Sequence, residues 1–190
     1  PMTTILGVDP GLTRLGVGII TKGAGRSVSL VHVDVYRTAI TDRPEERLGA
    51  LPRALGELMD QYTPDLVAVE RVFAQHNLRT VMGTAQVSGV VLALANARGI
   101  AVSMRTPSEV KAAVTGQGRA TKNQVGTMVQ RILGLDSIPQ PADAADALAL
   151  AITEAWRGVA PAASPTAGET PAQQAWREAE ARAKRPKLAP

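Results

Sequence analysis

The chain has 190 residues, 45% hydrophobic and 20% charged, with a formal net charge of +4, a composition that suits one compact globular domain. Having no cysteine, it can form neither disulfides nor thiolate metal sites, so a reducing compartment is expected and any catalytic metal must be held by oxygen or imidazole. No signal-peptide pattern is visible, and no apolar run reaches the ~18 residues of a spanning helix, so the expected setting is the cytoplasm, without membrane contact.

In chain order, residues 3 to 8 read as a buried strand ending at Asp9, with Pro10-Gly11 supplying a turn. Leu15 to Lys22 and Val28 to Tyr36 have strand character, and Gly23-Ala24-Gly25 between them predicts a hairpin. From Pro44 the apolar residues Leu48, Leu51, Leu55, Leu58 and Tyr62 recur at helical spacing, with a kink expected at Pro52. Leu66-Val67-Ala68-Val69 then forms a short apolar strand that delivers Glu70 at its end. Residues 77 to 97 predict a long helix whose small residues Gly83, Ala85, Ser88 and Gly89 permit close helix approach, in the core or at a dimer seam.

Ile100 to Met104 is a further strand, and Thr106-Pro107-Ser108-Glu109 a capping box with proline at the first helical position. A glycine-punctuated basic loop, Gly116 to Lys122, precedes a helix carrying Val125, Met128, Val129, Ile132 and Leu133. An Ala-rich helix from Pro141 to about Trp156 closes the expected domain, residues 1–157, and residues 158–190 read as a disordered tail rich in Pro and Ala. Between Glu70 and Asp136 stand eight basic residues, Arg71, Arg79, Arg98, Arg105, Lys111, Arg119, Lys122 and Arg131, against the single acid Glu109. Such a stretch suits a surface that tracks phosphates, and equally a solvated helix face.

Four carboxylates stand out. Asp9 and Glu70 each end an apolar strand, where a lone carboxylate is costly to bury. Asp143 and Asp146, three residues apart, project from one face of a helix otherwise made of Ala and Leu. A divalent cation would relieve their repulsion, and an all-oxygen set favours Mg²⁺ or Mn²⁺. Each member also has an ordinary alternative: a turn aspartate for Asp9, a strand-end ion pair with Arg71 for Glu70, a helix N-terminal acid for Asp143. Asp146 has none.

Ile5 to Gly11 (ILGVDPG), Val69 to Phe73 (VERVF) and Ala142 to Ala149 (ADAADALA) resemble, in the same order, the three acidic motifs of the RuvC family of bacterial crossover junction endodeoxyribonucleases. The similarity runs over about residues 3 to 156 and extends to Lys111 and the loop Gly116 to Lys122. The resemblance implies an α/β, ribonuclease H-like fold: a mixed five-stranded sheet with helices on both faces, in the order βββαβαβαα. It implies that Asp9, Glu70, Asp143 and Asp146 are catalytic ligands of two Mg²⁺ ions, with Mn²⁺ an acceptable substitute. Lys111 and Lys122 would lie near the cut strand and Phe73 would meet bases, while Arg79 and Arg119 of the basic stretch join them as expected DNA contacts. The implied activity is paired, symmetric nicking of four-way (Holliday) DNA junctions in recombination and repair by a homodimer, in company with a branch-migration helicase complex on the bacterial nucleoid. Three competing readings are a sugar-kinase or actin-like protein, disfavoured by length and the missing phosphate loops, a junction-binding protein that does not cut, and a nuclease for RNA–DNA hybrids.

Overall fold

The computed structural model describes residues 2–71 and 78–157, apart from the side chains of 78–80. The first three strands are β1 (Thr3–Asp9), β2 (Arg14–Lys22) and β3 (Val28–Arg37), followed by α1 (Pro44–Tyr62) and β4 (Leu66–Glu70). The glycine-rich hairpin forms as predicted, closed by Gly23 N–H on the Ser27 carbonyl and Ser27 N–H on that of Ala24. Helix α1 is assigned as one helix through Pro52. After β4 come α2 (Leu78–Ala97), β5 (Ala101–Arg105), α3 (Pro107–Thr115), α4 (Lys122–Leu133) and α5 (Ala142–Arg157). Three helices thus follow β5, one more than the expected order contains, because the basic loop separates α3 from α4. No helix among the described residues is long and apolar enough to cross a membrane.

The five strands form one sheet in the order β3-β2-β1-β4-β5. The β1–β2 and β2–β3 ladders are antiparallel, and the β1–β4 and β4–β5 ladders are parallel, giving the mixed sheet that was expected. Alternation of side chains sorts the strands between two cores. On one face Leu6 and Val8 of β1 and Val67 and Val69 of β4 pack with Leu55 and Met59 of α1 and with Val87 and Val91 of α2. On the other, Ile5, Leu66 and Ala68 pack with Val110 and Val114 of α3, Val125 and Val129 of α4, and Leu148 and Ile152 of α5. At about 1.5–3 kcal/mol for each large apolar side chain taken out of water, these two layers hold the sheet between helices.

The same alternation decides where the carboxylates go. Ile5 faces α5, so Gly7 and Asp9, two and four residues on, face it too. Leu66 and Ala68 put Glu70 on that side as well. Gly7 pairs with Gly18 and Asp9 with Gly16 across the β1–β2 ladder, so three glycines form a flat floor beneath α5. A methyl group at Gly7 would run into the Ala147 carbonyl, one at Gly16 into the Asp143 carbonyl, and one at Gly18 into the Leu148 side chain. Helix α5 matches this floor with small residues, among them Ala144, Ala147 and Ala151, all buried.

The far half of α5 is locked electrostatically. Glu154 is 2% exposed and accepts two hydrogen bonds from the Arg105 guanidinium, both 2.7 Å, and one from the Ser103 hydroxyl at 3.1 Å. A buried carboxylate of this kind is tolerated only when paired and fully hydrogen-bonded. At the end of the helix, Trp156 donates its indole N–H to the Arg26 carbonyl at 3.0 Å, while the Arg26 guanidinium lies 3.9 Å over its ring.

Because Gly7 lies against backbone that cannot yield, Gly7→Ala is expected to destabilise the fold by about 3 kcal/mol or more. Gly49→Ala, on an exposed position of α1 with open space around it, should instead add about 0.5–1 kcal/mol through helix propensity. Urea unfolding of the two variants beside wild type checks the contrast, and equal stabilities would refute the close-contact account.

Candidate active site

Asp9 and Glu70 end the neighbouring parallel strands β1 and β4, one residue beyond the last Val8–Val69 pairing of their ladder. Clefts at the carboxyl ends of such strands are where open α/β sheets bind ligands. Helix α5 lies across this end, and its floor of glycines sets Asp146 beside the two strand-end acids. The three line one cavity of about 260 Å³ together with Lys111 of α3 and Lys122 of α4, backed by Val110, Val125 and Leu150.

Both lysines are held by well-capped helix starts. In α3, the Thr106 hydroxyl accepts from Glu109 N–H at 3.2 Å, while the Glu109 carboxylate accepts from Thr106 N–H at 2.8 Å, the predicted capping box with Pro107 next in line. In α4, Thr121 and Gln124 repeat the motif, and Lys122 is the first helical residue. The Thr-x-x-Gln signal for this second box is present in the sequence.

The electrostatics are those of crowded negative charge. Asp9 has its pKa pushed up to about 7 from 3.8, first by burial and then by Glu70, Asp146 and Asp143, with Lys122 opposing. Glu70 is raised as well, by burial and then by Asp146, while Lys122 and Lys111 pull it down. Lys122 donates to the Asp146 carboxylate at 2.8 Å, and that hydrogen bond is the main reason its own pKa is raised.

Asp143 stands apart from the other three. It is one turn earlier on α5, does not line the cavity, and pairs with the Arg14 guanidinium at 3.4 Å. Among the described residues no group of three or more Asp, Glu, His or Cys side chains is already gathered as a metal cage. Two of the four carboxylates are engaged by side-chain cations instead.

Lys111 and Lys122, expected near a cut strand, both line the cavity that holds the three acids. Arg119 is exposed on the loop between α3 and α4. Arg79 belongs to the first turn of α2, with its side chain outside the described residues, and Phe73 and the tail 158–190 also lie outside them. The basic stretch needs correction at two places. Arg98 makes a two-point pair with Asp60 of α1, at 2.6 and 3.0 Å, and Arg105 is turned inward onto Glu154. Neither is a free cation for a phosphate surface, because each already has a carboxylate in ideal two-point geometry. Arg14 and Glu154 were not singled out from sequence. Arg14 is two residues before Gly16 and so shares its face, but that signal has meaning only once α5 is known to lie there.

The family model described as crossover junction endodeoxyribonuclease RuvC matches residues 5–154. A protein of that name from Leifsonia xyli subsp. xyli is 53% identical over 199 aligned residues, covering 98% of this chain and 96% of that protein. Another from Streptomyces griseus subsp. griseus is 58% identical over 156 residues, covering 82% and 76%. Among solved structures, Thermus thermophilus RuvC in complex with a Holliday junction substrate is similar with a TM-score of 0.76 at 36% identity, over 82% of this chain and 94% of that one. With the family model spanning nearly all of the sheet and most of α5, this chain belongs to the RuvC family of crossover junction endodeoxyribonucleases.

Proposed function

We propose that the protein resolves four-way DNA junctions by paired nicking, hydrolysing one phosphodiester in each of two opposed strands with the aid of divalent cations. The observation that carries this reading is the cavity in which Asp9, Glu70 and Asp146 meet between Lys111 and Lys122. Acids alone would repel a phosphate backbone, and a module that only binds DNA gains nothing from them. Family membership supplies the substrate class, and T. thermophilus RuvC, bound to a Holliday junction, supports it.

The donor set fits Mg²⁺. It consists of carboxylate oxygens, and the raised pKa of Asp9 and Glu70 reports a site where added positive charge is favourable. Asp9, Glu70, Asp143 and Asp146 would hold two ions, with Mn²⁺ an alternative. Bound there, the ions supply Lewis acidity at the phosphodiester and make water nucleophilic at neutral pH. The chain's own residues do the rest. Lys122, its charge secured by Asp146, places a fixed cation beside the phosphate to offset charge that grows as the P–O bond breaks. Lys111 approaches from α3 on the Glu70 side and orients the cut strand. The loop carrying Arg119 and the start of α2 with Arg79 extend the backbone contacts, and Phe73 meets the bases at the branch point.

Two active sites are needed for paired cuts, and the exposed side of α2 suits a two-fold seam. Val87, Val91 and Ala95 of that helix are buried against the sheet, whereas Met82 (59% exposed), Ala85, Gly89, Ala93 and Ala97 face outward, with Gln86 and Asn96 among them, as a surface of mostly small residues. The catalytic unit spans residues 1–157, with 158–190 as an accessory tail. Its place is the bacterial cytoplasm, on the nucleoid, where a branch-migration helicase complex delivers the junction.

Nicking of a synthetic junction, beside linear duplex and an RNA–DNA hybrid, tests the activity. Wild type should make symmetric, Mg²⁺-dependent junction cuts, and Asp146→Asn should lose about 10³-fold or more in rate while still binding the junction. Binding without cutting in any divalent metal would refute the enzyme reading, and faster hybrid cleavage would reassign it. In sedimentation or light scattering, Ala93→Glu should shift a wild-type dimer to monomer without unfolding it; an unchanged dimer rules out the α2 seam.

The raised pKa of Asp9 also links stability to pH. Its folded pKa lies above the unfolded value, so the fold prefers the neutral carboxyl, and stability from this group is full below pH 4 and is lost as pH rises towards 7. In EDTA, Asp9→Asn should melt above wild type by on the order of 5 °C at pH 8, with the gap closing near pH 4. Added Mg²⁺ should raise the wild-type Tm more than that of the variant. A gap independent of pH would overturn the assignment.

A further inference from the structure

Among the described residues, Arg14 is the cation paired with one of these carboxylates that the catalytic reading leaves unused. We propose that Arg14 is the resident counter-ion of Asp143 and competes with the divalent cation for that carboxylate, so that it sets the metal concentration at which the site fills. The inference rests on the metal-site reading above.

The geometry of both partners is imposed from outside the pair. Strand alternation puts Arg14 on the α5 face, two residues ahead of Gly16, and the Asp143 backbone is pressed onto Gly16, so the main chain that carries the carboxylate is held in place. The segment leading into Arg14 is pinned as well. Arg47 of α1 donates to the Thr13 hydroxyl at 2.7 Å and to the Thr38 hydroxyl at 3.0 Å, and Thr38 N–H reaches the Thr13 carbonyl at 3.2 Å. Across the β2–β3 ladder Arg14 faces Arg37, a like-charge pair that is unfavourable when directly opposed. Turning to Asp143 relieves it.

The contact itself is built to exchange. Its separation of 3.4 Å, with the Arg14 side chain 53% and the Asp143 side chain 23% exposed, makes it a long, partly exposed ion pair that salt weakens. Lys122 and Asp146 differ in distance rather than in exposure, being hydrogen-bonded at 2.8 Å beside the cavity. A dication near Asp143 attracts it more strongly than a guanidinium does, and the displaced Arg14 side chain has solvent to move into. In the absence of metal, Arg14 is the cation paired with Asp143. With metal, the same residue is the competitor.

The test is Mn²⁺ binding to the full chain without DNA, by calorimetry and by electron paramagnetic resonance of the free ion. Wild type is compared with Arg14→Gln, Arg14→Lys and Arg37→Gln, and Asp146→Asn identifies binding at this centre. Arg14→Gln should bind Mn²⁺ about three- to tenfold more tightly, with Arg14→Lys close to wild type and Arg37→Gln gaining less than Arg14→Gln. In wild-type protein, where no variant need fold, the Arg14 Nε–H resonance should move towards its solvent-exposed position as Mg²⁺ saturates the site. Unchanged or weaker Mn²⁺ binding in Arg14→Gln, or an Arg14 resonance that ignores Mg²⁺, overturns the competition. An equal gain in Arg37→Gln also overturns it, by showing a general field effect. Wild type that binds no Mn²⁺ at all overturns the metal-site reading itself, whereas binding that Asp146→Asn abolishes and Arg14→Gln leaves unmoved overturns only the role of Arg14.

Discussion

A methyl group added at Gly7 or Gly16 would strike the backbone of α5, and the placement of the site follows from that contact. Helices usually pack on sheets through interlocking side chains. Here the helix rests on bare strand backbone, so its register against β1 and β2 is fixed by main-chain atoms that have no rotamers to adjust. Asp146 is set against Asp9 by this contact rather than by any bond between them. The Glu154–Arg105 pair and the Trp156–Arg26 contact hold the other end of α5, where a slip would otherwise carry both aspartates out of line.

That rigidity is what allows the carboxylates to be crowded. Left free, Asp9, Glu70 and Asp146 would separate or take up protons. Held by two strand ends and one buried helix, they show the cost as a raised pKa at Asp9 and Glu70. Lys122 reduces the cost from within the chain, whereas Arg14 pairs with Asp143 alone. The lysine is hydrogen-bonded and lines the cavity, consistent with a lasting role beside a phosphate. The arginine pair is looser and lies at the rim, consistent with a partner that can be exchanged.

Charge elsewhere is divided between architecture and surface. Arg98 ties α2 to α1 through Asp60, and Arg105 ties β5 to α5 through Glu154. Lys111 and Lys122, by contrast, stand at the mouth of the acidic cavity. A count of basic residues along the chain cannot separate these uses, since an arginine in a two-point internal pair and one facing solvent look alike in sequence.

The sequence by itself determined the strands, most helix starts and the hairpin, and marked four carboxylates as candidates, because these are written in local patterns: period-two apolar runs, capping residues, glycine pairs and acids at strand ends. It also determined that Asp9 and Glu70 share a face with Ile5 and Leu66, once a sheet is granted. Only the tertiary structure decided that Asp146 joins those two in one cavity while Asp143 turns to Arg14, that Arg105 points inward, and that three glycines in two strands serve one helix. Each of those facts depends on residues far apart in the chain, 49 positions for Arg105 and Glu154 and more for the others, meeting at a particular register. Local propensity carries no information about that register; it is selected by which close packing of α5 on the sheet leaves no atom overlapping and no buried charge unpaired.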